Sequence, residues 1–224
     1  MKARVLDVAL DPDNRKWWTL FAVSFGLFMI MLDNTVVNVA LRSIQQSLHV
    51  SQSELEWVVV GYALTFATFM LTGGKLADRY GRRLLFLVGL VIFTAASLAC
   101  GLAPSAGLLV GARIAQGAAA ALMTPQVLAI IGLAYPGTAD RARAFTAYSL
   151  TMGFGGIGGQ LIGGALIRAD VAGLGWRMCF LINLPVGVAA LVGTRRHEPE
   201  SRSDSHRRLD LVGAGLITSA LVVR

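Results

Sequence analysis

The sequence predicts an all-α integral membrane protein, a six-helix bundle followed by the start of a seventh helix, and three observations predict it. Hydrophobic residues make up 55% of the chain and charged residues only 15%, against roughly 25% charged in an average soluble domain. Six stretches, at 17–41, 56–74, 84–103, 106–133, 144–167 and 173–193, stay apolar over the roughly 17 to 25 residues that a helix needs to cross a bilayer. The links between them are short, and their lysine and arginine content alternates from one side to the other.

Residues 1–16 carry Lys2, Arg4, Arg15 and Lys16, as expected of a cytoplasmic N-terminal segment. The apolar run of the first span, from Trp17 to Leu32, exceeds the roughly 7 to 15 residues of a signal-peptide core. It is therefore read as an uncleaved helix, with Trp17 and Trp18 as interfacial anchors. The second and third spans are joined by LTGGKLADRYGRRLLF, residues 71–86, which packs Lys75, Asp78, Arg79, Arg82 and Arg83 between two apolar runs. Asp78 stands just before the third span, where it is expected to cap free backbone N–H groups. Pro125 in the fourth span and Pro185 in the sixth mark bends. Residues 194–208 read as a solvated cytoplasmic linker. A further apolar run at 209–224 rises only about 22 Å, short of a hydrocarbon core of about 30 Å. The sequence thus stops inside what reads as a seventh helix.

With the N-terminus inside, most of the 20 basic residues fall on the cytoplasmic side. This positive-inside asymmetry explains a pI near 10.1 without nucleic acid as a partner. Cys100 and Cys179 sit in apolar runs with no metal-ligand spacing, so no metal site is expected. No phosphate-binding loop or serine nucleophile motif is present. The chain is read as no enzyme and as needing no cofactor, so as a transporter it would draw on an ion gradient or work passively.

Two charges interrupt the spans. Asp33 lies about 24 Å along the first helix and Arg113 about 10 Å from the outer end of the fourth, which runs the opposite way. The two reach a similar depth. An acid within a span costs on the order of 2.5 to 3.5 kcal/mol on insertion scales and so needs a partner or a task. The expected task is proton coupling: Asp33 takes and releases a proton, and Arg113 controls how readily. Burial disfavours an ionised carboxylate and a nearby cation favours it. In the fifth span Gly155, Gly159 and Gly163 recur every four residues, with Gly156 and Gly164 beside them, a pattern for close helix packing in lipid. Asn38, Gln116, Gln126 and Asn183 read as interhelical hydrogen-bonding groups. Asn38 and Gln126, with Phe25 and Met29, are also candidates to line a substrate path, since methionine and aromatic side chains adapt to varied apolar ligands. Phe66, Met70 and Met123 join them on the same grounds.

At this point several stretches carry a resemblance. Gly74, Leu76, Ala77, Asp78, Arg79, Gly81, Arg82 and Arg83 resemble the signature loop between helices 2 and 3 of the major facilitator superfamily. LDNTVVNVAL (Leu32 to Leu41), LVGARIAQGAAAA (Leu109 to Ala121), GGIGGQLIGGAL (Gly155 to Leu166) and GWRMCFLINLPVG (Gly175 to Gly187) resemble motifs of its fourteen-helix drug:proton antiporter branch. Arg42 and Gln160 stand where that branch has proline.

The resemblance implies the N-terminal half of a multidrug or antibiotic exporter, with helices 1 and 4 as neighbours. It makes the segment from Gly74 to Arg83 a conformational switch loop. It also implies that the helix 5 glycine face, with Gln160, meets a second half of the transporter and helps control switching. The implied partners are the lipid bilayer, a small amphipathic substrate, protons, and a missing C-terminal half or second chain; one half is expected to be inactive alone. The implied location is a bacterial cytoplasmic membrane, and 17 arginines against 3 lysines fit a GC-rich bacterial genome. The alternatives are a sugar or organic-anion porter of the same fold, or a non-transporting membrane module that acts by assembly.

Overall fold

The computed structural model describes residues 12–197, all of whose long elements are helices. In chain order they are α1 (Pro12–Leu48), α2 (Gln52–Tyr80), α3 (Arg82–Gly101), α4 (Ala106–Ala134) and α5 (Thr138–Ala169). Two single 3₁₀ turns, Val171–Gly173 and Gly175–Arg177, then lead into α6 (Met178–Leu181) and α7 (Asn183–His197). Among the described residues, six helical spans are long and apolar enough to cross a membrane, the sixth running over Gly175–Thr194. The expected boundaries shift at both ends. Helix α1 already begins at Pro12, and α7 runs on to His197; the rest of the N-terminal segment, the linker and the seventh helix lie outside the described residues.

Local chemistry sets the element ends. Ser51 accepts the Glu54 backbone N–H at 3.3 Å while the Glu54 carboxylate accepts that of Ser51 at 2.8 Å, a reciprocal cap that starts α2. A single residue, Gly81, separates α2 from α3, and its φ of 110° and ψ of 136° lie where only glycine is unstrained. Asp170 closes α5 in the left-handed region, and its carboxylate accepts the Gly175 N–H at 2.8 Å.

The helices form two groups of three. Helix α4 lies between α2 and α3, and α1 lies between α5 and the sixth span. Contacts of α3 with α6 and α7, and of α1 with α4, join the groups. Two apolar clusters fill the interior. One holds Met29, Phe86, Phe93, Met123 and Tyr135; the other holds Val36, Ile44, Leu109, Trp176 and Phe180. Helices α1, α3 and α4 contribute to both; Ser97, Arg113, Gln116 and Asn183 fall in sequence between the residues given to one cluster and those given to the other, and Asp33 falls just past that change on α1, between Leu32 and Val36.

Lipid tails are as apolar as leucine, so burial of apolar surface does little to hold helices together; close approach and hydrogen bonds must do it. Thr65 on α2 donates to the Ile114 carbonyl of α4 at 3.1 Å, and a methyl at Gly117 would overlap the Thr65 hydroxyl and the Tyr62 carbonyl. Thr35 on α1 does the same against α5, donating to the Gly155 carbonyl at 3.2 Å. A methyl at Gly159 would overlap that hydroxyl and come within 3.0 Å of the Leu32 carbonyl. In α4, Pro125 has no N–H for the Ala121 carbonyl. Gly73 of α2 packs against that freed oxygen, and Gln126 Nε2 donates to the Gly73 carbonyl at 3.0 Å.

The end that carries the N-terminus is tied across helices. Lys16 pairs with Asp140 at 3.2 Å, and Tyr135 donates to the Lys16 carbonyl at 2.7 Å. Burial, and secondarily Asp140, push the Tyr135 hydroxyl up to about 12, so it stays a donor across the physiological range. At the other end Arg177 stacks over Trp176 at 4.5 Å and donates to the Ala103 carbonyl at 3.1 Å.

The glycine packing makes a prediction. Gly159→Ala should destabilise the bundle by about 1 to 3 kcal/mol, the usual cost of overpacking. Gly156→Ala, where a methyl meets nothing within 4 Å, should leave stability level or raise it. Thermal unfolding of the two variants in detergent checks this; equal midpoints would rule out the tight α1–α5 contact.

Candidate functional site

The polar layer is built around the Asp33 carboxylate, which is fully buried. Arg113 of α4 donates from Nη1 to Oδ2. Oδ1 accepts from Gln116 Nε2 at 3.1 Å and from Asn183 Nδ2 at 2.8 Å. Ser97 of α3 ties the two amides together, accepting from Gln116 at 2.8 Å and from Asn183 at 3.3 Å. One charged oxygen pair thus gathers donors from α4 and α7, with α3 in support.

Arg113 is held on every side. Its Nε donates to the Val58 carbonyl of α2 at 3.1 Å, and Nη1 also donates to Gln116 Oε1 at 2.9 Å. The Tyr62 ring lies 4.2 Å beneath the guanidinium and the Phe180 ring 6.0 Å from it, which stabilises the buried cation. Asn34 donates to the Tyr62 hydroxyl at 3.3 Å, and Cys100 contributes a weak donor to Gln116 Oε1 at 3.4 Å. The amide orientations follow from charge: turning Gln116 over would set its oxygen against the carboxylate and its NH2 against the guanidinium.

The sequence singled out Asp33 and Arg113, and the structure brings them into direct contact. Gln116 and Asn183 were read only as interhelical groups, yet both bond the same carboxylate. Gln116 had a usable signal, since it lies one helical turn from Arg113. Asn183 had none, being 150 positions from Asp33, and Ser97 went unread.

Other candidate residues fall elsewhere. Asp78 does not cap α3, whose start has no side-chain cap. Helix α2 runs through Asp78 to Tyr80, so the acid sits at a helix C-terminal end and pairs instead with Arg82 across Gly81, at 3.0 Å. Of the same loop, Gly74 approaches Pro125 only loosely, at 4.0 Å, Arg79 stacks on Tyr80 at 5.5 Å, and Arg83 is half-buried in the first turn of α3. The stripe Gly155, Gly159 and Gly163 packs on Met31, Thr35 and Val36 of α1, so the face expected to meet a second half is closed within this bundle. Gly156 and Gly164 meet nothing within 4 Å, and Gln160 is exposed. The four substrate-lining candidates do not converge. Met29 is core and Gln126 bonds Gly73, while Phe25 is half-buried and Asn38, which donates to the Asn34 carbonyl at 3.1 Å, is exposed.

The sequence profile of the Major Facilitator Superfamily matches residues 23–223. The chain belongs to this superfamily. A Streptomyces coelicolor relative named as a probable actinorhodin transporter is 42% identical over 212 residues, covering 95% of this chain and 36% of the relative. The puromycin resistance protein pur8 of Streptomyces alboniger is 40% identical, over 94% of this chain and 41% of its own length. Among solved structures, an inward-facing, unoccupied bacterial homologue of the human lysosomal transporter Spinster matches with a TM-score of 0.71 and 27% identity, over 88% of this chain and 46% of that one. The chain therefore spans less than half the length of these relatives. This superfamily member is a multi-pass membrane protein, and its family and relatives are transporters.

The charge pair sets an asymmetry that can be measured. Arginine cannot shed its proton inside a protein, whereas a carboxylate left without its cation can take one up. Asp33→Leu should therefore destabilise the fold more, on the order of 3 to 5 kcal/mol, than Arg113→Met. The double variant should cost less than the two singles together. Equilibrium unfolding in mixed micelles measures the cycle, and strict additivity would exclude an energetic pair.

Proposed function

We propose that this chain forms the N-terminal six-helix half of a proton-coupled exporter of amphipathic drugs or antibiotics. It would act in a bacterial cytoplasmic membrane with its N-terminus inside. The observation that carries this reading is the Asp33–Arg113 pair, enclosed by amides from two helices, in a chain whose relatives are named as a probable actinorhodin transporter and a puromycin resistance protein. With Asp33 ionised, the site is neutral and Arg113 is locked to α1. Protonation of Asp33 cancels the negative charge and leaves Arg113 without its counterion. A conformation that gives Arg113 another partner or more water then gains relative to this one. Binding of a cationic or polar substrate near the pair biases the same equilibrium, which is how a proton and a drug can be exchanged.

The remaining parts have roles in this scheme. Superfamily transporters bind substrate near the midplane between two six-helix halves. Helices α2 and α5 have the least buried spans, at 22% and 17%, and leave their outer faces for lipid or a second half. On α5 that face holds Phe154, Ile157 and Leu161, each about 70% exposed, beside Gly156, Gln160 and Gly164. At the end of α2 the segment from Gly74 to Arg83, with the Asp78–Arg82 pair, serves as the switch loop. Phe25 and Asn38 reach the surface and are the better placed of the substrate-lining candidates. The proton gradient supplies the energy, and no cofactor is required.

The test is drug efflux from energised inverted vesicles that carry either this chain alone or the same six helices continued by a second half. Pumping by the longer protein only, stopped by a protonophore and lost in Asp33→Asn, is the expected result. Full proton-dependent efflux by Asp33→Asn would remove Asp33 from the coupling step, and pumping by the short chain would show that copies of it complete the path.

A further inference from the structure

Asn183 is fully buried, and its two ends fare differently. Nδ2 donates to Asp33 Oδ1 at 2.8 Å and to Ser97 Oγ at 3.3 Å. Its Oδ1 has no hydrogen-bond partner among the described residues. Buried polar atoms without partners are rare and call for an explanation. We propose that Asn183 is a positioning residue that reports the protonation state of Asp33 by turning its amide over, presenting N–H to the carboxylate and its carbonyl oxygen to the carboxylic acid. The proposal rests on the proton-coupling reading above.

The geometry decides each step. Asp33 Oδ2 faces the Arg113 cation, while Oδ1 faces only neutral amides. A proton arriving from water therefore adds to Oδ1 and converts it from an acceptor alone into an O–H donor. That O–H then points at the Asn183 NH2 group, donor against donor. Gln116 cannot relieve the clash, because its oxygen is held by Arg113 at 2.9 Å and its nitrogen by Ser97 at 2.8 Å. The other titratable groups around the pair are Tyr62 from α2, Cys100 from α3 and Cys179 from α6; Arg113 comes from α4, and α5 reaches this level of α1 with Gly155 and Gly159. No bond shown by any of them offers Oδ1 an acceptor.

Asn183 has the spare acceptor. Its terminal torsion is broad and roughly two-fold, so a half-turn exchanges oxygen and nitrogen within nearly the same volume. The oxygen then occupies the place now held by Nδ2, within bonding distance of both Asp33 Oδ1 and Ser97 Oγ, whose hydroxyl hydrogen also gains an acceptor. The turn takes place at the break between α6 and α7. Pro185 maintains that break, since it has no N–H for the Leu181 carbonyl. The charge state of α1 is thereby passed to a span whose backbone is already interrupted at that depth.

The experiment is a pH titration of the wild-type chain in lipid nanodiscs, with the side-chain carbons and nitrogens of aspartate and asparagine isotopically labelled, followed by solid-state NMR. The Asn183 signal is assigned by its loss in Asn183→Leu and the Asp33 signal by its loss in Asp33→Asn. The expected result is that the Asn183 carbonyl moves to a hydrogen-bonded shift with the same midpoint as protonation of the Asp33 carboxyl, and that this movement is gone in Asp33→Asn. If Asp33 titrates and the Asn183 carbonyl stays still, Asn183 is a fixed donor and the proposal fails, with proton coupling intact. A carboxyl that stays ionised at every pH would bring down both readings, and the Asp33 signal distinguishes that case from the other.

Discussion

A carboxylate in the middle of a membrane helix has to find donors, because neither lipid nor bulk water is there to solvate it. In this chain that demand organises the interior. Asp33 draws Arg113 and Gln116 from α4 and Asn183 from α7, and Arg113 in turn reaches the Val58 carbonyl of α2. Ser97 closes the set from α3. Five of the six spans thus meet at one level, and the apolar core divides into a cluster above and a cluster below it. A charge pair of this kind is poor evidence for stability, since desolvation offsets much of the attraction. What it does well is fix register, because a one-residue slip of either helix would leave two charges buried apart.

The remaining span, α5, joins by a different device. It reaches α1 through glycines, and Thr35 both fills the space over Gly159 and donates to Gly155. The α2–α4 contact uses the same combination of a threonine seated over a glycine with a hydroxyl-to-carbonyl bond, in Thr65, Gly117 and Ile114. These contacts hold the backbones close where lipid provides no hydrophobic force between helices. They also spend the most regular glycine face of α5 inside the bundle, which leaves its bulky apolar side chains and its remaining glycines outward.

The transport reading follows from how these two devices combine. Glycine contacts hold helix pairs close, while in the proposed scheme the central pair holds through a charge that one proton cancels. A close-packed frame around a cancellable link is what a two-state carrier needs, since a packed interior changes between discrete arrangements rather than deforming gradually.

Much of this was legible in the amino-acid order. Hydropathy fixed six spans because backbone groups in lipid must be satisfied within a helix, and Asp33 and Arg113 stood out because each is an isolated charge in an apolar run. Counting 1.5 Å per residue placed them at one depth. Neutral amides give no such signal, so Gln116 and Asn183 could be named as hydrogen-bonding groups but not assigned to a carboxylate. The glycine stripe was visible as a stripe, but which helix covers it depends on how α1 and α5 cross. Asp78 was misread as a cap because the sequence does not show that α2 continues to Tyr80 and that Gly81 alone makes the turn. Composition and period thus determined the elements, their depth and their charged outliers. Partnership between residues as far apart as Asp33 and Asn183 was decided by tertiary packing, because a hydrogen bond depends on distance in space and the chain encodes that distance only through the whole fold.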